Sequence, residues 1–153
     1  MSDETRFVSA ERLVRAAPEA IFELIADPAL QPGWDGNDNL AEAAPGQRVT
    51  GVGQAFVMEL TVGGTRENHV VEFEEGRRIA WKPAYPGEEL LGHLWRWELE
   101  PGAEPGVTLV RHSYDWSGLP DTAEPKRLAR ARATTAEMLG ASLGRLAAAA
   151  EAA

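Results

Sequence analysis

Three histidines are the first candidates for chemistry, because imidazole near neutral pH can accept a proton, donate a hydrogen bond or bind a metal. His69 shares its strand parity with Val71 and Phe73, His93 with Trp95 and Trp97, and His112 with Val110 and Tyr114. Residues two apart on a strand project from one face. His112 and Tyr114 would therefore stand side by side, an imidazole and a phenol able to orient or polarise a ligand carbonyl. Any catalysis would fall to these two. No two histidines are near one another in the chain, and no carboxylate sits at a ligand spacing, so no metal site is expected. The chain has no cysteine, hence no thiolate nucleophile and no disulfide framework.

Three shorter patterns carry no chemistry. Asp35, Asn37 and Asn39 open like a calcium loop, but Leu40 takes the place of its glycine and Gly46 that of its glutamate. Gly51 and Gly53 lack the third glycine of a phosphate-cradling loop. Ser9, Ser113, Ser117 and Ser142 have no nucleophile-elbow context.

The elements that must position the candidates follow from periodicity. Residues 6–16 read as a strand ending before Pro18, which suits the first position of a short helix carrying Ile21, Phe22, Leu24 and Ile25. Asp27–Pro28 starts a second short helix. The stretch from Asp35 to Gly53 is loop-rich, with room for one weak strand near 39–44. The period then becomes two. Phe56, Met58, Leu60 and Val62 share a face, with Gly63–Gly64 as a two-residue hairpin turn. Glu67, His69, Val71 and Phe73 are assigned to the inner face of the next strand, then Ile79 and Trp81, then Leu91, His93, Trp95, Trp97 and Leu99, then Val110, His112, Tyr114 and Trp116. Strands joined by short turns pair antiparallel. From Asp121 to Ala150 the 3, 4, 7 spacing of Leu128, Ala131, Thr135, Leu139, Ser142, Leu143, Leu146 and Ala150 predicts one long amphipathic helix covering the sheet. Arg132 falls about 40° from the Leu128–Leu146 line, inside the apolar stripe, where an arginine either snorkels outward or points into a pocket toward an anionic head. No strand places an arginine mid-strand on the assigned inner face.

The chain has 153 residues and is expected to form a single α+β domain over 1–153. Fifteen lysines and arginines against 24 acids give a net charge of −9. That average field repels phosphate backbones and anionic membrane surfaces, so nucleic acid is not an expected partner. No run reaches the ~18 apolar residues of a membrane span. The opening MSDETRF is not that of a signal peptide, which leads to a cytoplasmic expectation.

The opening AAPEAIFELIADPALQPGWDG, the VVEFEEGRRIAWK stretch, the HLWRWELEP and GVTLVRHSYDWSG pair and the C-terminal helix together resemble the START-like (SRPBCC) helix-grip superfamily, which shares the birch-pollen-allergen fold. Within it the resemblance is to the bacterial polyketide cyclase/dehydrase-like branch, over roughly residues 6 to 148. It implies a curved sheet of about seven antiparallel strands wrapped around the C-terminal helix, with two short helices after strand 1 and a deep, mostly apolar cavity between. Members bind lipids, hormones or quinones, or cyclise polyketides, so the fold implies no one activity.

With that architecture, Met58, Trp81, Trp95, Trp97, Leu139 and Leu143 would form the cavity wall, and His69, His93, His112 and Tyr114 its polar groups, with Arg132 as the candidate cation. The leading reading is binding of a hydrophobic small molecule, lipid-, polyketide- or quinone-like. The alternative is a cofactor-independent polyketide aromatase/cyclase or dehydratase using His112 and Tyr114. A third is a protein-interaction module using the convex face, against which the outward series Arg96, Glu98 and Glu100 argues.

Overall fold

The computed structural model describes residues 5–152. The acidic residues 1–4, on which part of the signal-peptide argument rests, lie outside the described residues. The elements run β1 (Phe7–Val14), α1 (Pro18–Ala26), a 3-10 helix (Pro28–Gly33), β2 (Leu40–Glu42), β3 (Ala55–Leu60), β4 (Thr65–Glu74), β5 (Arg78–Ala84), β6 (Leu94–Pro101), β7 (Thr108–Asp115), α2 (Pro125–Ala133) and α3 (Ala136–Glu151). All seven strands form one antiparallel sheet in the order β1-β7-β6-β5-β4-β3-β2. The first strand thus returns beside the last, and the helices cover the concave face. This is the α+β helix-grip fold.

Local chemistry accounts for the element ends. Pro18 opens α1, and the Asp27 carboxylate caps the 3-10 helix by accepting from Ala29 N. The β3–β4 connection is a four-residue loop, longer than the expected two-residue turn. It is closed by Leu60 N donating to Gly64 O, and Gly63 and Gly64 both take positive φ.

The main core joins α1, through Ile21, Phe22 and Ile25, to Val110, Ile79 and Trp97 of the sheet and to Leu143, Leu146 and Ala150 of α3. A smaller cluster around Tyr114, Trp116, Leu119, Leu128, Ala131 and Leu139 holds α2 in place. The convex face is charged: Arg96 pairs with Glu72 at 2.6 Å, Arg78 with Glu98 at 3.4 Å and Arg111 with Glu11 at 3.0 Å.

Two further expectations are corrected. The single C-terminal helix is two helices, broken at Thr134–Thr135. Thr135 is extended and its hydroxyl caps α3 by accepting from Met138 N, while Thr134 Oγ1 donates back to Arg130 O. Each threonine satisfies a helix-end group that a continuous helix would satisfy internally. The second correction is in β4. Its pairing with β5 shifts between Val70 and Glu72, so Val71 is an extra residue that bulges from the ladder. Before the bulge the inward residues are Arg66, Asn68 and Val70; after it Phe73 faces in, packed edge-on against Phe22. The assigned inner set of Glu67, His69 and Val71 is therefore reversed.

Candidate functional site

Between sheet and helices lies a cavity of about 390 Å³. Its floor is the concave face: Met58 from β3, Asn68 from β4, Trp81 and Pro83 from β5, then the β6 and β7 rings. Gln31 of the 3-10 helix and Trp34 just past its end close one side, and Leu139 and Ser142 of α3 close the roof. These closing groups are anchored to the backbone. Trp34 Nε1 donates to Leu24 O at 2.7 Å, Gln31 Nε2 to Ile25 O at 2.9 Å, and Ser142 Oγ accepts from Gly36 N at 3.1 Å.

The most ordered part of the wall is a ladder of rings across β6 and β7. Trp95 is opposite Tyr114 and Trp97 opposite His112 in the register. His112 stacks on Trp97 with ring centres 3.7 Å apart and planes 12° from parallel, and on Trp95 at 5.6 Å and 18°. Tyr114 lies 4.3 Å from Trp95, and His93 sits 5.6 Å from Tyr114. Cross-strand neighbours on one face explain these distances.

The electrostatics follow from burial. His112 Nδ1 is 3.0 Å from the Arg96 carbonyl, which can only accept, so Nδ1 carries the proton and Nε2 keeps a lone pair. Burial pushes the His112 pKa down to about 4, against the upward pull of that hydrogen bond. His93 is also pushed down to about 4, first by burial and then by the charges of Arg127, Arg66 and Arg130. His93 is only half-buried, because its ring borders the open cavity, so desolvation by protein counts for less there than at His112. Burial pushes the Tyr114 hydroxyl up to about 12, with Arg130 and the Thr134 hydroxyl pulling it back. The site thus offers neutral hydrogen-bonding groups among rings. Trp97 is fully buried, and its Nε1 has no acceptor among the described residues.

Of the residues picked from sequence, Met58, Trp81, His93, Trp95, Trp97, His112, Tyr114 and Leu139 line the cavity. Three do not. His69 lies on the outer parity of β4 ahead of the bulge, opposite Lys82, with Nε2 2.8 Å from Glu67 Oε1. That approach lacks hydrogen-bond alignment. Leu143 is buried one turn beyond Leu139 and belongs to the main core. Arg132 is exposed, its guanidinium 5.9 Å from the Trp116 ring centre. The break at Thr134–Thr135 resets the helical phase on which its inward placement depends.

Several lining residues escape sequence reasoning: Gln31, Trp34, Asn68, and the arginines Arg66, Arg127 and Arg130. For Arg66 and Asn68 the one local warning is Glu67, a carboxylate on the parity assigned to the inside. Among the described residues no three His, Asp or Glu side chains gather as a metal would require. Among the described residues no helix is long and apolar enough to cross a membrane.

Residues 6–151 match the family described as polyketide cyclase/dehydrase and lipid transport. No curated protein matches the chain in sequence. Similar solved structures include protein CV1439 from Chromobacterium violaceum, at TM-score 0.63 and 19% identity, covering 95% of this chain and 97% of that one. The Aha1 dimer from Colwellia psychrerythraea is similar at TM-score 0.61 and 19% identity, covering 95% and 96%. Major latex-like protein 151 from Panax ginseng is similar at TM-score 0.61 and 14% identity, covering 94% and 96%. At these identities the likeness is one of fold.

Proposed function

The chain belongs to the polyketide cyclase/dehydrase and lipid transport family, within the SRPBCC helix-grip superfamily, and from that premise we propose that it binds a hydrophobic small molecule between sheet and helices. The observation that carries this reading is the cavity of about 390 Å³ walled by the Trp95–Tyr114 and Trp97–His112 ring ladder. That size and mixture, mostly apolar with a few convergent polar groups, is what small-molecule sites use. Apolar burial at roughly 25 cal/mol per Å² would supply affinity. His112 Nε2 as acceptor and the Tyr114 hydroxyl as donor would set orientation. A flat, partly oxygenated ligand, lipid-, polyketide- or quinone-like, suits such a wall.

The alternative, a cyclase or dehydratase, finds support in the family and in the pairing of His112 with Tyr114 on one strand. It asks His112 to take a proton from carbon beside a carbonyl and Tyr114 to hydrogen-bond the oxygen. An imidazole held near a pKa of about 4 is a weak base for that task, since general bases work best with pKa near the operating pH. Binding is favoured. The third reading, a protein-interaction module, has no support from the ion-paired convex face.

Native mass spectrometry of the purified protein should show a co-purified apolar ligand, and tryptophan fluorescence should report its displacement. His112→Ala should then weaken binding roughly 3–10-fold, the worth of one hydrogen bond. A loss of turnover of ~10²–10⁴-fold with binding intact would instead establish catalysis. Failure of every apolar ligand to change the fluorescence would overturn both.

A further inference from the structure

The mouth of the cavity is cationic in a chain whose net charge is −9. Arg66 reaches it from β4, and Arg127 and Arg130 from α2, two elements some sixty residues apart in the chain. Several arginines elsewhere meet carboxylates: Arg48 pairs with Glu23 and Glu75, Arg78 with Glu98, Arg96 with Glu72 and Arg111 with Glu11. Among the described residues, none of the three mouth arginines makes such a pair. Two of the three rest on an aromatic ring. The Arg66 guanidinium carbon is 4.4 Å from the Tyr85 ring centre and that of Arg127 is 5.8 Å from it. Arg66 Nη1 also donates to Thr65 O at 3.1 Å, and cation–π contact leaves the remaining N–H groups of these guanidiniums available. Among the described residues, no carboxylate lining the cavity forms an ion pair with the cluster. Both Asp35 oxygens accept backbone N–H groups, from Asn37 and from Asn39 and Leu40. Glu124 is the N-cap residue of α2, three residues ahead of Arg127.

We infer that Arg66, Arg127 and Arg130 form an anion-recognition subsite at the cavity mouth, so that the ligand is an anionic amphiphile with its apolar body inside and its carboxylate or phosphate head at the arginines. The inference rests on reading the cavity as a hydrophobic-ligand site, and it names the ligand's charge. Three like charges brought together by tertiary structure repel one another, and an anion placed among them relieves that repulsion and gains charge-assisted hydrogen bonds. The half-buried His93 ring already feels all three charges, which places their field at the cavity and not only at the surface. Bound anion would cancel part of that field, so the His93 pKa should rise on binding.

Decanoate, decyl phosphate and 1-decanol share a tail and differ in head, so they separate the two contributions. Titrated at neutral pH with tryptophan fluorescence as readout, at least one of the two anions should bind ~10-fold or more tightly than the alcohol. A preference for decanoate or for decyl phosphate tells which anionic head the mouth takes, and either supports the subsite. The preference, read as the ratio of anion to decanol affinity within each protein, should shrink by ~3–10-fold in Arg66→Gln and in Arg127→Gln/Arg130→Gln. The α2 double variant changes surface positions, so it keeps the test alive where Arg66→Gln unfolds. Arg77→Gln, on an exposed arginine away from the cavity, controls for net charge and should change nothing. Equal binding of alcohol and anions, or an anion preference that survives loss of the arginines, overturns the subsite alone. Binding of none of the three overturns the hydrophobic-ligand reading together with it.

Discussion

The His112 ring ties stability to pH, and its sign follows from its burial. Folded, its pKa lies at about 4; an unfolded histidine titrates near the ordinary 6.5. Between those values the unfolded chain binds the proton and the folded one does not, so stability rises with pH across that window and falls as acid is added. Above about pH 6.5 the neutral ring is present in both states and the contribution is complete. Each pKa unit corresponds to 1.36 kcal/mol, so acidification from about pH 7 to about pH 4.5 should remove about 2–3 kcal/mol through His112 alone. The carboxylates titrate in the same range, so the measurement has to be differential. In His112→Asn the amide can donate to the Arg96 carbonyl where Nδ1 does, but nothing titrates. Urea denaturation at the two pH values should show the parent losing about 2–3 kcal/mol more than the variant. The variant starts lower at neutral pH, because the ring that stacks between Trp95 and Trp97 is gone. The His112 imidazole resonance in NMR offers an independent check, since it should stay neutral down to about pH 5. Equal pH slopes in parent and variant, with a resonance titrating near 6.5, would refute the assignment of a buried, neutral His112.

Two further outcomes test the packing. A Cβ at Gly36 would stand 2.5 Å from the Ala141 carbonyl carbon, so Gly36→Ala should push the loop off α3, strain the Gly36 N to Ser142 Oγ hydrogen bond and cost about 1–3 kcal/mol in urea denaturation; a parental midpoint would show that the approach is not so close. Truncation before Thr134 removes Leu139, Leu143 and Leu146, all nearly fully buried. At ~1.5–3 kcal/mol each, their loss rivals the whole stability of a domain, so the fragment should show no cooperative melt; a native-like transition would refute α3 as the keystone of the core.

Alternation in β3, β5, β6 and β7 is a local property, and it suffices to put Met58, Trp81, Trp95, Trp97, His112 and Tyr114 on the inner face. A strand's side chains alternate whatever its partners, and apolar residues mark the side that must leave water. The amphipathic stripe of the C-terminal segment likewise announces a helical cover for the sheet. The bulge in β4 has no such local mark, because it exists only as a mismatch in register with β5, yet it reverses His69 and brings Arg66 and Asn68 inside. The break at Thr134–Thr135 is written in two adjacent β-branched hydroxyl residues that a continuous helix would also accept. Only docking Leu128 and Ala131 onto Trp116 and Leu119, while Leu139 and Leu143 follow α3, decides for two helices. Arg132 leaves the stripe and Arg127 and Arg130 turn to the cavity for the same reason. Sequence by itself determines an antiparallel sheet with an amphipathic helical cover and its aromatic wall, since these follow from short-range periodicity, while the helix-grip arrangement is what the family resemblance implies. Tertiary structure decides where the charges meet, because their convergence depends on pairing and docking between segments far apart in the chain.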